Sequence, residues 1–108
     1  MSLERVLGAT IVGNLVFTSG RTGGEGDVDL QIKRCMAKLE ATLLGAGTSF
    51  DNVVKATVYL SDLGYRTKYL NPIWNEIFKE NKPSRTCIEA GLGGADVEIE
   101  MIAFIPEK

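Results

Sequence analysis

The sequence contains no histidine. That absence excludes Ser-His-Asp and Cys-His nucleophile systems, histidine-ligated metal sites and imidazole proton shuttles. Proton transfer in this chain must use carboxylates, thiols, tyrosine, lysine or water. Cysteine is nearly absent too: Cys35 and Cys87 lie far apart, without a C-x-x-C or metal-ligand spacing, so neither a disulfide framework nor a metal site is expected. No apolar run is long enough for a membrane span, and none follows Met1-Ser2-Leu3-Glu4-Arg5 that would make a signal segment, which predicts a cytoplasmic protein without membrane contact. Positive charge is not in excess: 12 basic against 14 acidic side chains give a net charge of −2. Such a balance creates no field for a phosphate backbone, so no nucleic-acid partner is expected.

What is present is an ordinary globular composition, 44% hydrophobic and 24% charged, too apolar for disorder. The 108 residues fit one domain, 1–108, whose modest core would gain from self-association.

Val6 to Phe17, broken by Gly13-Asn14, reads as a hairpin of two short strands. Four glycines between Gly20 and Gly26 then predict a flexible loop. It matches neither phosphate-binding glycine pattern, so a plain connector is the better reading. Asp27 is placed to cap a helix running to about Leu44, because Val28, Ile32, Cys35, Met36, Leu39 and Leu43 recur at steps of three and four. Gly45-Ala46-Gly47 ends it. Val53 to Leu60 is a strand, expected near the middle of the sheet. Tyr65 to Lys79 offers Tyr69, Ile73, Trp74, Ile77 and Phe78 as the stripe of a second helix, whose regular part begins near Asn71 because Pro72 suits only a first turn. Ser84–Ala90 and Val97–Ile105 complete the strands.

The order β-β-α-β-α-β-β describes an α+β fold with two helices on one face of a mixed sheet. Val12, Val16, Val54, Val58 and Ile102 then supply more apolar sheet surface than two helices cover, which predicts burial against copies of the same chain.

Two segments carry candidate chemistry. Arg85 and Cys87 stand two apart on a strand and so share a face. An arginine there offers a donor fork matched to a carboxylate, although on pattern alone an interface salt bridge ranks ahead of it. Glu98 and Glu100 likewise share a face of the last strand; a solvated edge is the plain reading, and a carboxylate holding a water is the functional one.

Over nearly its whole length the sequence resembles the RidA/YjgF family of imine deaminases. The likeness lies in Gly13-Asn14-Leu15-Val16-Phe17-Thr18-Ser19-Gly20, in Asp51-Asn52-Val53-Val54-Lys55-Ala56-Thr57-Val58-Tyr59-Leu60-Ser61-Asp62, and most closely in Pro83-Ser84-Arg85-Thr86-Cys87-Ile88-Glu89 with Val97-Glu98-Ile99-Glu100-Met101-Ile102-Ala103. The resemblance implies a chorismate-mutase-like subunit, a homotrimer with clefts between neighbours, and cofactor-free hydrolysis of 2-imino or 2-amino-2-enoic acids to 2-keto acids and ammonia. By position it implies that Arg85 clamps the substrate carboxylate, Cys87 lines the pocket, Ser19-Gly20 contacts the ligand, and a glutamate positions water. Glu98 matches across a one-residue gap and is preferred; Glu100 matches without the gap. The sequence departs from the family where Val6 replaces a site tyrosine, Arg21 replaces a glutamine and Gly91 replaces a basic residue. The lost tyrosine favours the alternative of a non-catalytic protein that binds a small carboxylate such as a keto acid.

Overall fold

The computed structural model describes residues 2–107. Strands β1 (Leu3–Val6), β2 (Ala9–Val12) and β3 (Leu15–Thr18) open the chain, followed by a two-residue strand β4 (Arg21–Thr22) and helix α1 (Val28–Gly45). A 3-10 turn (Phe50–Asn52) leads into β5 (Val53–Leu60); a π-helical turn (Arg66–Leu70) leads into α2 (Asn71–Phe78); β6 (Ser84–Glu89) and β7 (Val97–Phe104) end the fold. The sheet order is β1-β2-β3-β7-β5-β6, with β4 also on β7. Only β5 and β6 run parallel among the paired strands. The expected hairpin is β2–β3, turned at Gly13-Asn14, and the second helix begins at Asn71 with Pro72 in its first turn. Strands β1 and β4 were not anticipated: Leu3-Glu4-Arg5-Val6 is charged at its centre and shows no apolar alternation, and β4 is only two residues long.

Burial alternates strictly along β7, with Val97, Ile99, Met101 and Ala103 under the helices and Glu98, Glu100, Ile102 and Phe104 facing away. The core joins these residues to Ile32, Cys35, Met36, Leu39 and Leu43 of α1 and to Trp74 and Phe78 of α2. This corrects part of the expected surplus on the open face. Val16 and Val58 are fully buried under the helices. The open face instead presents Leu15 and Phe17, 38% and 40% exposed, paired across strands with Phe104 and Ile102.

α1 ends as the glycines suggest. Gly47 takes φ +92°, its N–H reaches Leu44 O at 3.1 Å, and Thr48 N–H reaches Leu43 O at 2.9 Å, the paired bonds of a Schellman cap. At the other end Asp27 holds the N-cap position, but its side chain caps nothing. The glycine loop is clamped rather than loose, because α1 side chains take its carbonyls. Lys38 donates to Thr22 O at 2.8 Å, Arg34 to Gly23 O at 3.4 Å and also to Glu25 O, and Gln31 to Gly26 O at 2.8 Å. Carbonyls turned toward cations are the reverse of a phosphate cradle.

Gln31, 3% exposed, is the centre of this clamp. Its amide also donates to Asp96 Oδ2 at 2.8 Å and accepts Asp96 N–H at 3.0 Å, while Asp96 Oδ1 accepts Ser61 O–H at 2.7 Å. Gln31→Ala removes three part-buried hydrogen bonds, to Gly26 O and to both the carboxylate and the N–H of Asp96, so it is expected to cost about 3 kcal/mol. Thermal unfolding should register this as a Tm lower by roughly 15 °C; an unchanged Tm would show the network to be dispensable.

Candidate functional site

β6 pairs in parallel with β5 so that Arg85 stands beside Ala56 and Cys87 beside Val58. Ala56 and Val58 are fully buried beneath the helices, which places Arg85 and Cys87 on the helix-covered face, at the strand that ends the sheet. There the start of α2 meets them. Arg85 Nη2 donates to Asn71 Oδ1 at 2.8 Å, and its guanidinium lies 5.2 Å from the centroid of the Trp74 ring. One hydrogen bond and one stacking contact fix the plane of a half-buried cation and leave the rest of its donor fork unspent. A cavity of about 390 Å³ opens at this point, lined by Asn71, Trp74, Asn75, Lys82, Pro83 and Arg85, without a single carboxylate.

The half-buried Cys87 thiol is pushed above its usual pKa by burial, with the Arg85 and Arg66 guanidinium groups acting in the opposite direction. It stays protonated at neutral pH, on the same strand face as Arg85 but outside the lining of the cavity. Cys35, fully buried, is pushed up to about 12 by burial; its Sγ–H donates to Arg21 O at 3.0 Å, a structural contact.

The second group of residues assembles on the opposite face. β3 and β4 are one strand interrupted at Ser19-Gly20: their registers against β7 differ by one residue, and Met101 N–H turns to Thr18 Oγ1 at 2.9 Å. Such a bulge re-aims the chain where it occurs. Here it brings Gly20 against Glu98, so closely that a β-carbon on Gly20 would stand 2.6 Å from Glu98 Oε2. Glu98 pairs across β5 with Tyr59, and Glu100 with Thr57. The two carboxylates share a face, as their spacing predicts, yet differ in state. Glu100 Oε1 accepts the Tyr59 hydroxyl at 2.9 Å, and this bond more than burial raises the phenol pKa. Glu98 accepts no hydrogen bond from the described residues and has its oxygens free for a water.

Of the predicted site residues, Arg85 and Cys87 thus come together, as do Ser19, Gly20 and Glu98, with Glu100 beside them, but the sheet separates the two groups within one chain. Asn71 was missed. It was read only as a helix start, and its signal was the polar side chain that such a start aims at the neighbouring strand. Trp74 was read as core, which it is, though its ring also carries the guanidinium. Val6 packs on the core and Arg21 Nη1 lies 3.4 Å from Thr42 Oγ1; neither lines the Arg85 cavity. A larger depression of about 500 Å³ lies beside α1, but its Lys33 is balanced by Glu40 and Asp51 and it holds no fixed cation. Among the described residues no cluster of acidic and cysteine side chains is suited to a metal ion, and no helix is long and apolar enough to cross a membrane.

Comparison with known proteins follows the same lines. Residues 5–105 match the family described as Endoribonuclease L-PSP. A RutC family protein of Pyrococcus abyssi is 41% identical over 101 residues, covering 86% of this chain and 79% of its own. TdcF of Escherichia coli, which bears the provisional name reactive intermediate deaminase, is 30% identical over 104 residues, covering 86% and 79%. The solved structure of protein YjgH, whose name is that of an Escherichia coli RutC family protein, superposes with a TM-score of 0.86 at 33% identity, covering 94% of this chain and 84% of that one.

Proposed function

The chain belongs to the RidA/YjgF family, described as Endoribonuclease L-PSP, and from that premise we propose that it hydrolyses 2-imino and 2-amino-2-enoic acids to 2-keto acids and ammonia. The observation that carries the reading is Arg85: a guanidinium fixed by Asn71 and Trp74 in a cavity whose own lining holds no acid, an arrangement suited to receive a carboxylate.

The reaction asks little. Arg85 grips the carboxylate in a bidentate pair and draws electron density from C2. Water, held by the Glu98 carboxylate, adds to C2 of the protonated imine and gives one proton to that carboxylate, leaving a neutral carbinolamine. The protonated carboxylate returns this proton to the carbinolamine nitrogen; the C–N bond then breaks and ammonia leaves as the C–O bond becomes C=O, the hydroxyl proton passing to the Glu98 carboxylate, so that the carbonyl oxygen is the one that water brought. An enamine enters the same path after protonation at C3. Orientation and charge stabilisation suffice for a bond that hydrolyses readily, so neither histidine nor a cofactor is called for.

Because Arg85 and Glu98 lie on opposite faces of one sheet, the complete site in this scheme pairs Arg85 of one subunit with Ser19, Gly20 and Glu98 of its neighbour. The open apolar strip of Leu15, Phe17, Ile102 and Phe104 supports that self-association, as clefts of a homotrimer. RNA cleavage, to which the family description refers, finds less support: a net charge of −2 attracts no polyanion, and Arg85 is offered as one fixed fork rather than a basic track.

The test is a coupled assay in which amino acid oxidases generate imines from a panel of amino acids and loss of imine is followed. Wild type should accelerate it, and Arg85→Ala should lower kcat/KM by about 10²- to 10³-fold, the cost of leaving a carboxylate without its charged partner. No acceleration with any imine would overturn the proposal. Saturable, Arg85-dependent binding of a keto acid without turnover would establish the small-carboxylate-binding alternative.

A further inference from the structure

We propose that the Arg85 cavity selects imino acids bearing a second acidic group, and that Lys82 receives it. The inference rests on the deaminase reading and narrows its substrate class to dicarboxylic 2-imino acids.

Two cations line the cavity and no anion of the same chain balances them; the neighbour's Glu98, in the scheme above, is engaged with water. They differ in kind. Arg85 is planar and immobilised, suited to the carboxylate beside the reacting carbon. Lys82 carries a compact ammonium with three donors, of which one goes to Lys79 O. A monocarboxylate neutralises only one of these charges; a dicarboxylate neutralises both. Between them Trp74 and Pro83 form apolar walls against which a short methylene chain can lie. The volume, about 390 Å³, also exceeds the needs of a three-carbon acid.

The backbone holds Lys82 where this requires. Lys79 takes φ +52°, the only positive φ outside glycine among the described residues, and its N–H still bonds Asn75 O at 2.9 Å. Asn81 N–H returns to Phe78 O at 2.9 Å, and Pro83 stiffens the exit. A left-handed lysine is a strained conformation that persists because the surrounding bonds impose it, and strain of this kind gathers at ligand clamps. Here it reverses the chain after α2 so that Lys79 O tethers the Lys82 ammonium at the cavity rim.

Lys82 is exposed, so water and salt weaken its pull and the selectivity is modest. Wild type should favour glutamate- and aspartate-derived imines over the leucine-derived imine in kcat/KM by roughly fivefold at low salt, as befits one exposed charge pair. Lys82→Gln should erase the preference by lowering kcat/KM for the glutamate- and aspartate-derived imines more than for the leucine-derived one, Lys82→Glu should reverse it, and added salt should shrink it in wild type alone. A wild type without the preference, or a preference that survives Lys82→Gln, overturns the proposal. If no imine is hydrolysed, the deaminase reading fails by itself, and thermal stabilisation by glutarate against butyrate then decides. A Lys82-dependent advantage for glutarate supports the dianion site; equal shifts sink it.

Discussion

Gly23→Ala is expected to leave little folded protein, whereas the same replacement at Gly45 is expected to stabilise the chain. A β-carbon on Gly23 would stand 1.8 Å from Gln31 O and 2.5 Å from Gln31 C, inside the backbone of α1. No rotamer change relieves this, because backbone is struck rather than a side-chain tip. The loop must lift from the helix, and with it goes the clamp that Gln31, Arg34 and Lys38 close on the loop carbonyls. Loss on the order of 4 kcal/mol or more follows, a large share of the ~5–15 kcal/mol that hold a domain of this size together. At Gly45 nothing lies within 4 Å of an added β-carbon and the residue closes a helix, so alanine there gains about 0.5–1 kcal/mol of helix propensity. Circular dichroism melts of the two variants beside wild type check both signs. A Gly23→Ala protein that melts with wild type would mean that the loop does not press on α1 as described.

That contact also marks where sequence reading stops. Period and punctuation were legible: the α1 stripe from Ile32 to Leu43, the β5 run, the glycine cap at Gly47 and the start of α2 at Asn71, marked by Pro72, are each set by residues within a few positions of one another. The glycine loop was not. Its four glycines looked like freedom, but what they permit is close approach, and the approaching atoms belong to a helix some ten residues further on. The same limit governed the site. Spacing by two put Arg85 with Cys87 and Glu98 with Glu100, because alternation along one strand is local. Which face each pair takes depends on how β6 and β7 register against β5, a tertiary matter, and only that register reveals that the pairs lie on opposite sides of the sheet. Asn71 escaped for the same reason, since nothing in its neighbours shows that α2 begins over β6. The choice between Glu98 and Glu100 turned in the sequence on where a one-residue gap falls; in the structure it turns on what each carboxylate touches.

Those contacts lead to the largest expected effect on turnover. Glu98→Gln should lower kcat for imine hydrolysis by about 10²- to 10³-fold with little change in KM, the loss of a positioned base that does not itself grip the substrate. Glu100→Gln should cost no more than a few-fold, since a glutamine oxygen can still accept the Tyr59 hydroxyl that Glu100 Oε1 accepts now. Gly20→Ala separates position from charge. Gly20 has no positive φ to forbid alanine, and the atom its β-carbon would strike, at 2.6 Å, is the mobile end of Glu98. The fold should therefore survive while the carboxylate is displaced, so kcat should fall between the two glutamine variants with Tm near wild type. Steady-state kinetics and melts on the three proteins discriminate. If Glu100→Gln proved the more damaging, the water-holding role would pass to Glu100 and the freedom of the Glu98 carboxylate would need another cause. If Gly20→Ala matched wild type, the closeness of the bulge to Glu98 would have no part in placing the water.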